Sequence, residues 1–211
     1  MEITALCCNE GLDRAGIRRR RIVEAARMLF ADNGFHATGV AQIAKASGVA
    51  VGQLYRDFSA KEDIVADIVE GDCVRFVARE SLSHAIETGD RDTVVAWLHQ
   101  FVEPTGKNDS QQLFAEIIAE SARNPRIADI VARMRIEVSE TMLSALAFLA
   151  PGDDRAASRD RLAELILTQS LGLKQQRLMN PAADLTRLTA VILKVIDREI
   201  AALETAARIP A

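Results

Sequence analysis

Along most of the chain apolar residues return every three or four positions, and no stretch alternates apolar with polar as a half-buried strand does. The pattern predicts an all-α fold. The first periodic run opens near Arg18 and puts Ile22, Ala26, Leu29 and Phe30 on one face. Asn33-Gly34 ends it, because glycine takes the positive φ that closes a helix. Phe35 then plugs a small core. A short helix follows over about 40–46, with Val40, Ile43 and Ala44 on its apolar side. Ser47-Gly48-Val49 breaks the run, and Gly48 suits a sharp turn. A second short helix over about 51–57 sets Leu54 and Phe58 four apart on one side. Ser59 and Glu62 have the spacing of a capping box. They start a long helix from Lys61 to about Thr88, through Ile64, Ile68, Val69, Leu82 and Ile86, with Gly71 as a point of bending.

Five more helices complete the pattern, about nine in all. Asp90 caps 91–102, and Glu103-Pro104-Thr105-Gly106 reads as a loop. Ser110 opens 111–123. Asn124-Pro125 pairs a cap with a proline at the first helical position and starts 125–150, which Pro151-Gly152 stops. A helix over 155–179 closes at Asn180-Pro181, and Asp184 opens the last, to about 207. The expected organisation is a flexible arm over 1–16, a three-helix unit over 17–60 and a larger helical domain over 61–211.

The two short helices and their turn form a helix-turn-helix, whose second helix fits a DNA major groove. Thr38, Ile43-Ala44, Gly48-Val49, Gly52-x-Leu54-Tyr55-x-x-Phe58 and Lys61-Glu62 together resemble the DNA-binding signature of the TetR family of bacterial repressors. The likeness covers about residues 18–69. It implies an N-terminal DNA-binding domain followed by a helical ligand-binding and dimerisation domain. It also implies a phosphate contact from Thr38, whose hydroxyl suits a cap of the first short helix as well. Lys61 sits in a first helical turn, where a cation works against the helix dipole unless a phosphate lies there. Tyr55 is a further phosphate candidate, Gly52 allows close backbone approach, and Val51 stands at the start of the base-reading helix. Gln53 is the candidate for pairing with adenine, and Arg56 for reading guanine or holding a phosphate. Asp57 is expected to pair with Arg56. Ala50 stands where the family favours a capping Ser or Thr, and Val51 where it favours a polar residue.

Charge sharpens this. The chain carries a net −4, yet from Arg14 to Lys61 nine basic residues face three acidic ones, +6, which leaves −10 elsewhere. Clustered positive charge is what phosphates need, whatever the total. Within it, Arg18 to Arg21 read either as phosphate contacts or as a solvated first turn, and Arg18 is kept as a DNA-contacting candidate.

Other chemistry is sparse. No GxSxG, Walker loop, HExxH or CxxC occurs, so neither an enzyme nor a metal or cofactor site is expected. No apolar run approaches the roughly 20 residues of a membrane span. The start reads as no signal peptide, and Cys7-Cys8 and Cys73 make no disulfide framework, so the expected compartment is the cytoplasm.

Two further surfaces are expected. Cys73, Phe76, Trp97, Phe101, Phe114, Met134, Met142 and Phe148 read one by one as core, and as a set as the lining of a pocket for a largely apolar small molecule, with His99 or Gln112 as polar contacts. On the last two helices, Leu162, Leu165, Ile166, Gln169, Gly172 and Leu173 share one face, and Leu188, Ile192, Val195 and Ile196 another. They pack inside one chain or form a two-fold four-helix interface. The combined expectation is a homodimeric regulator, a repressor released from an inverted-repeat DNA operator by a small effector. A DNA-binding activator, a regulator without ligand, or a small helical ligand carrier or enzyme remain as alternatives.

Overall fold

The structure, a computed structural model, describes residues 13–77, 79–103 and 108–206; side chains at 74–77, 79, 108–110 and 206 lie outside that description. The elements are α1 (Arg14–Asn33), α2 (Val40–Ser47), α3 (Val51–Asp57), α4 (Lys61–Val77), α5 (Arg79–Thr88), α6 (Arg91–Gln100), α7 (Asn108–Ser121) and α8 (Pro125–Leu149). A 3-10 turn (Asp153–Arg155), α9 (Ala156–Met179) and α10 (Thr186–Ala206) follow. Among the described residues there are ten α-helices and no strand. The single helix expected over 61–88 is described as α4 and α5, and residue 78 lies outside the described residues. The cysteines of the arm, Cys7 and Cys8, and the loop residues 104–106 lie outside the described residues.

The chain divides into two compact units. The first comprises residues 1–72 and 112–131, the second 73–111 and 132–211.

In the first unit α1 begins earlier than the apolar period suggests. The reason is Asp13, whose Oδ1 accepts the Gly16 N–H at 2.8 Å. Ile22, Ala26 and Phe30 of α1, Ile43 and Ala44 of α2, and Leu54 of α3 close a small core with Phe35 and Phe58, all buried. Its floor is Ile64, Val65, Ile68 and Val69 of α4, and Leu113, Ile117, Ile127 and Ile130 from later in the chain are buried in the same unit. Gly34 (φ 81) ends α1, and Gly48 (φ 64) makes the left-handed turn between α2 and α3. At the start of α4 the capping differs from expectation: Asp63 Oδ2, one residue beyond Glu62, accepts the Ala60 N–H at 3.0 Å. Glu62 instead accepts from Asn124 Nδ2 at 2.9 Å.

The second unit is built on one apolar cluster that includes Trp97, Leu98, Phe101, Met142, Leu146, Leu162, Ile166, Leu173, Ile196 and Ile200. Asp90 caps α6 through the Thr93 N–H at 3.1 Å. His99 Nε2 lies 2.7 Å from Asp197 and Arg91 Nε 2.8 Å from Glu204, which ties α6 to α10.

Candidate nucleic-acid interface

Helix α3 is seven residues long and holds itself in place by one buried side chain, Leu54, with Phe58 just beyond its end. The rest of its surface is offered outward. Tyr55 is 54% exposed and Val51 44%. Gly52 and Arg56 are also exposed, and Gln53 half-exposed. A β-carbon built at Gly52 would meet no atom within 4 Å. Ala50 caps α3 with no side-chain hydrogen bond, so the first N–H groups of the helix are left to other partners. Arg56 Nη1 donates to Gln53 Oε1 at 3.2 Å, so the two candidate base readers stand together. A cleft of about 430 Å³, lined by Arg14, Ile17, Arg18, Arg21, Gly48, Val49, Ala50 and Gln53, borders the start of the helix.

The arginine run does something else. Arg18 makes a fork with Asp57, Nε to Oδ2 at 2.5 Å and Nη2 to Oδ1 at 2.8 Å. That hydrogen bond holds the Asp57 carboxyl below the usual carboxylate range, against the desolvation that pushes it up, and it raises the Arg18 guanidinium in turn. Asp57 therefore belongs to Arg18 and not to Arg56. Arg19 forks onto Asp67 (2.9 and 2.6 Å), donates to the Asp57 carbonyl at 2.7 Å, and lies 4.1 Å over the Phe58 ring. Arg21 donates to the Ser47 carbonyl at 2.6 Å, and Arg27 forks onto Asp72. These side chains brace α1 against the recognition helix, the turn before it and α4. Among the described residues, Arg14 and Lys45 are the exposed cations of this stretch with no such partner.

Two residues expected to hold phosphate are placed otherwise. Thr38 is fully buried. Its hydroxyl lies 2.8 Å from the Gly34 carbonyl and 3.1 Å from that of Leu29, so it latches the turn instead of capping α2 or facing solvent. Gly39 caps α2, its N–H received by Gln42 Oε1 at 2.6 Å. Lys61 Nζ donates to the carbonyls of Phe35 (2.8 Å) and Thr38 (2.9 Å) and sits 4.2 Å over the Phe35 ring. A cation poorly placed for the dipole of its own helix is thus satisfied by the preceding turn.

Residues 22–68 match the family profile described as "Bacterial regulatory proteins, tetR family". Over those residues the chain carries a DNA-binding domain of the TetR type. It is 32% identical over 125 residues to the HTH-type transcriptional regulator UidR of Escherichia coli K12, a match that spans 58% of this chain and 61% of UidR. The chain thus covers less than two thirds of the length of that relative. It is 43% identical over 54 residues to the HTH-type transcriptional repressor KstR2 of Rhodococcus jostii, 26% of either chain. The fold extends further than the sequence likeness. Salmonella enterica GusR superposes with a TM-score of 0.66 at 22% identity, over 92% of this chain and 98% of GusR. A TetR transcription regulator from Haloarcula marismortui gives 0.67 at 16% identity, over 88% and 97%.

The side chains expected to line an apolar pocket lie mostly in or against the core of the second unit. Trp97 and Phe101 pack edge to face, ring centroids 4.7 Å apart, in the core with Cys73 and Met142. Met134 and Phe148 are half-buried against that core. Phe114 belongs to the first unit. The Phe76 side chain lies outside the described residues. His99 is paired with Asp197, and Gln112 is exposed. The buried amide is its neighbour Gln111, 6% exposed, with neither Oε1 nor Nε2 hydrogen-bonded. No sequence pattern marks such a side chain, because its distinction is a missing partner. An open cleft of about 530 Å³ lies elsewhere in the unit, where Asp154, Arg155, Ser158 and Arg161 face Glu199 and Ala202.

On α9 and α10 the interface candidates separate into two groups. Leu162, Ile166, Leu173 and Ile196 are buried in the chain's own core, so they are not free to meet a second copy. Leu188, Val195 and Gly172 are exposed, and Leu165, Gln169 and Ile192 half-buried. Leu171, Met179 and Val191 are exposed apolar residues that the sequence reading missed. A helix with apolar residues on two sides does not say which side its own chain uses.

Proposed function

We propose that the chain is a transcriptional repressor that binds an inverted-repeat operator as a homodimer and leaves it when a small, largely apolar effector occupies the second unit. The carrying observation is the outward row Val51, Gln53, Tyr55 and Arg56 on a helix braced from behind by Arg18 and Arg19. Gln53 reads adenine and Arg56 guanine; Tyr55 takes a phosphate, and Gly52 allows the backbone to approach. Arg14 and Lys45 supply charge to the same backbone. Thr38 and Lys61 act indirectly, by fixing the turn that precedes the motif. KstR2 is a repressor and UidR a regulator, which supports the direction of control.

The exposed stripe of Leu188, Val191 and Val195 on α10, beside Leu171, Gly172 and Met179 on α9, supports pairing with a second copy. Two-fold pairing sets recognition helices about 34 Å apart, one turn of DNA. The unpaired Gln111 amide supports an effector that carries a hydrogen-bonding group on an apolar body. Binding shifts the population towards an arrangement in which α4 no longer holds the two recognition helices in register. All of this takes place in the cytoplasm. The tight Trp97–Phe101 packing favours a second reading, a regulator of the same DNA class without an effector.

Selection of bound fragments from a random duplex pool tests the proposal, followed by binding in the presence of candidate metabolites. An inverted repeat should emerge. Gln53→Ala should weaken that fragment by about 1–3 kcal/mol and leave random DNA unchanged. Equal loss on both would remove Gln53 as a base reader.

A further inference from the structure

The turn that carries the chain from α1 into α2 is held by several elements, and one hold comes from far along the sequence. At Gly34 the backbone is left-handed (φ 81), so Phe35 N–H is the first donor beyond the end of α1. That N–H donates to Glu116 Oε1 of α7 at 2.8 Å, across 81 positions. The same oxygen stands 3.0 Å from where a β-carbon on Gly34 would lie. Four residues on, and so on the same face of α7, Glu120 Oε2 meets His36 Nε2 at 2.8 Å and Arg123 Nη2 at 3.2 Å, with the Glu120 side chain only 2% exposed. Lys61 holds the Phe35 and Thr38 carbonyls from α4, and the Thr38 hydroxyl closes the turn on Leu29 and Gly34. All of these residues lie in the first unit.

We propose that Glu116 is a positioning residue for DNA reading. Its carboxylate fixes the Phe35 amide, the fixed turn sets the entry of α2, and α2 carries α3 through the tight turn at Gly48. Helix α2 needs such help, because its cap is a glycine with no side chain of its own to offer. The inference rests on the DNA-binding reading above, and it adds a residue that touches no nucleic acid and that no helix-turn-helix pattern contains. Base-edge contacts carry the sequence information, and phosphate contacts are the same on any duplex. Loss of the Glu116 hold should therefore lower binding to the selected fragment and spare binding to random DNA.

The test uses the full chain with Glu116→Ala, Glu116→Gln and Glu116→Asp. Each is titrated, at one salt concentration, against the fragment selected from the pool and against a random duplex of equal length. Hydrogen exchange of the Phe35 amide is followed in parallel. Glu116→Ala should lose about tenfold on the selected fragment, the scale of one hydrogen bond to a charged group. It should stay unchanged on random DNA and exchange the Phe35 amide faster. Glu116→Gln keeps the acceptor oxygen and should stay within about twofold of the parent, by the same scale. Glu116→Asp keeps the charge but falls a methylene short, and should side with alanine. Equal losses on both duplexes, or a glutamine variant as weak as alanine, would overturn the proposal. Should the alanine variant fail to fold, the Gln and Asp variants make the same comparison. Should the parent enrich no fragment, the DNA reading itself fails. Phe35 exchange then decides the hold alone, and protection unchanged in the alanine or aspartate variant overturns it.

Discussion

In the first unit Arg18, Arg19 and Arg27 fork onto Asp57, Asp67 and Asp72, and Arg21 holds a carbonyl. In the second, Arg91–Glu204 and Arg135–Glu164 are exposed pairs outside a contiguous apolar cluster. The first unit has a core of its own, with Ile22, Phe30, Ile43, Leu54, Phe58 and Ile64 fully buried, and adds geometry to it through bidentate guanidinium–carboxylate pairs. The second unit leaves its pairs at the rim, where they contribute little. Positive charge on a DNA-binding domain is thus an unreliable count of its DNA contacts, because much of it faces inward.

The contrast can be broken at four points. The largest effect belongs to the apolar unit: Trp97→Ala should cost about 3–5 kcal/mol in denaturant unfolding, from lost burial and the cavity left behind. A cost no greater than that of a surface substitution would mean the cluster is not what holds this unit. Next comes the charged unit. Asp57→Asn should destabilise it at neutral pH through loss of the Arg18 fork. The Asp57 carboxyl is held below its ordinary value, so this contribution is present above about pH 3.9, the unfolded carboxylate value. It is lost as pH falls through the lower folded value. Melting curves of parent and variant should therefore converge in acid; a gap that persists there would assign the loss to something other than the ion pair. Smallest is Lys45→Ala, which should leave stability within about 0.5 kcal/mol and reduce the salt slope of DNA binding by about 0.9, one phosphate. An unchanged slope would take Lys45 off the interface. The fourth point is Gly52, whose consequence is different in kind.

What could be read from the sequence was local. Gly48, Asp90, Asn124 and the period of Leu54 and Phe58 act over a few residues, and each fixed an element or its end where expected. Asn124 Oδ1 does accept the Arg126 N–H at 3.1 Å, as a cap should. What could not be read was pairing at a distance. Nothing near Arg18 announces Asp57, and nothing near Phe35 announces Glu116. Thr38 and Lys61 show a subtler limit: both matter to the motif, but through the turn behind it. On α9, Leu162 and Leu171 are equally apolar, and only the packed chain shows that the first is spent inside and the second is left outside.

Gly52 is the second residue of a short helix, where glycine is less favourable than alanine. The folded chain has ample room there for a larger residue. Nothing within the protein, then, requires the smallest side chain at that point. On the DNA-binding reading proposed above, the small side chain leaves room for the nucleic-acid backbone to press close. If so, Gly52→Ala melts higher than the parent and grips DNA less well, and a variant that did neither would leave the glycine without a physical account. On that reading a stability cost inside the free chain is the counterpart of a fit made only in the complex.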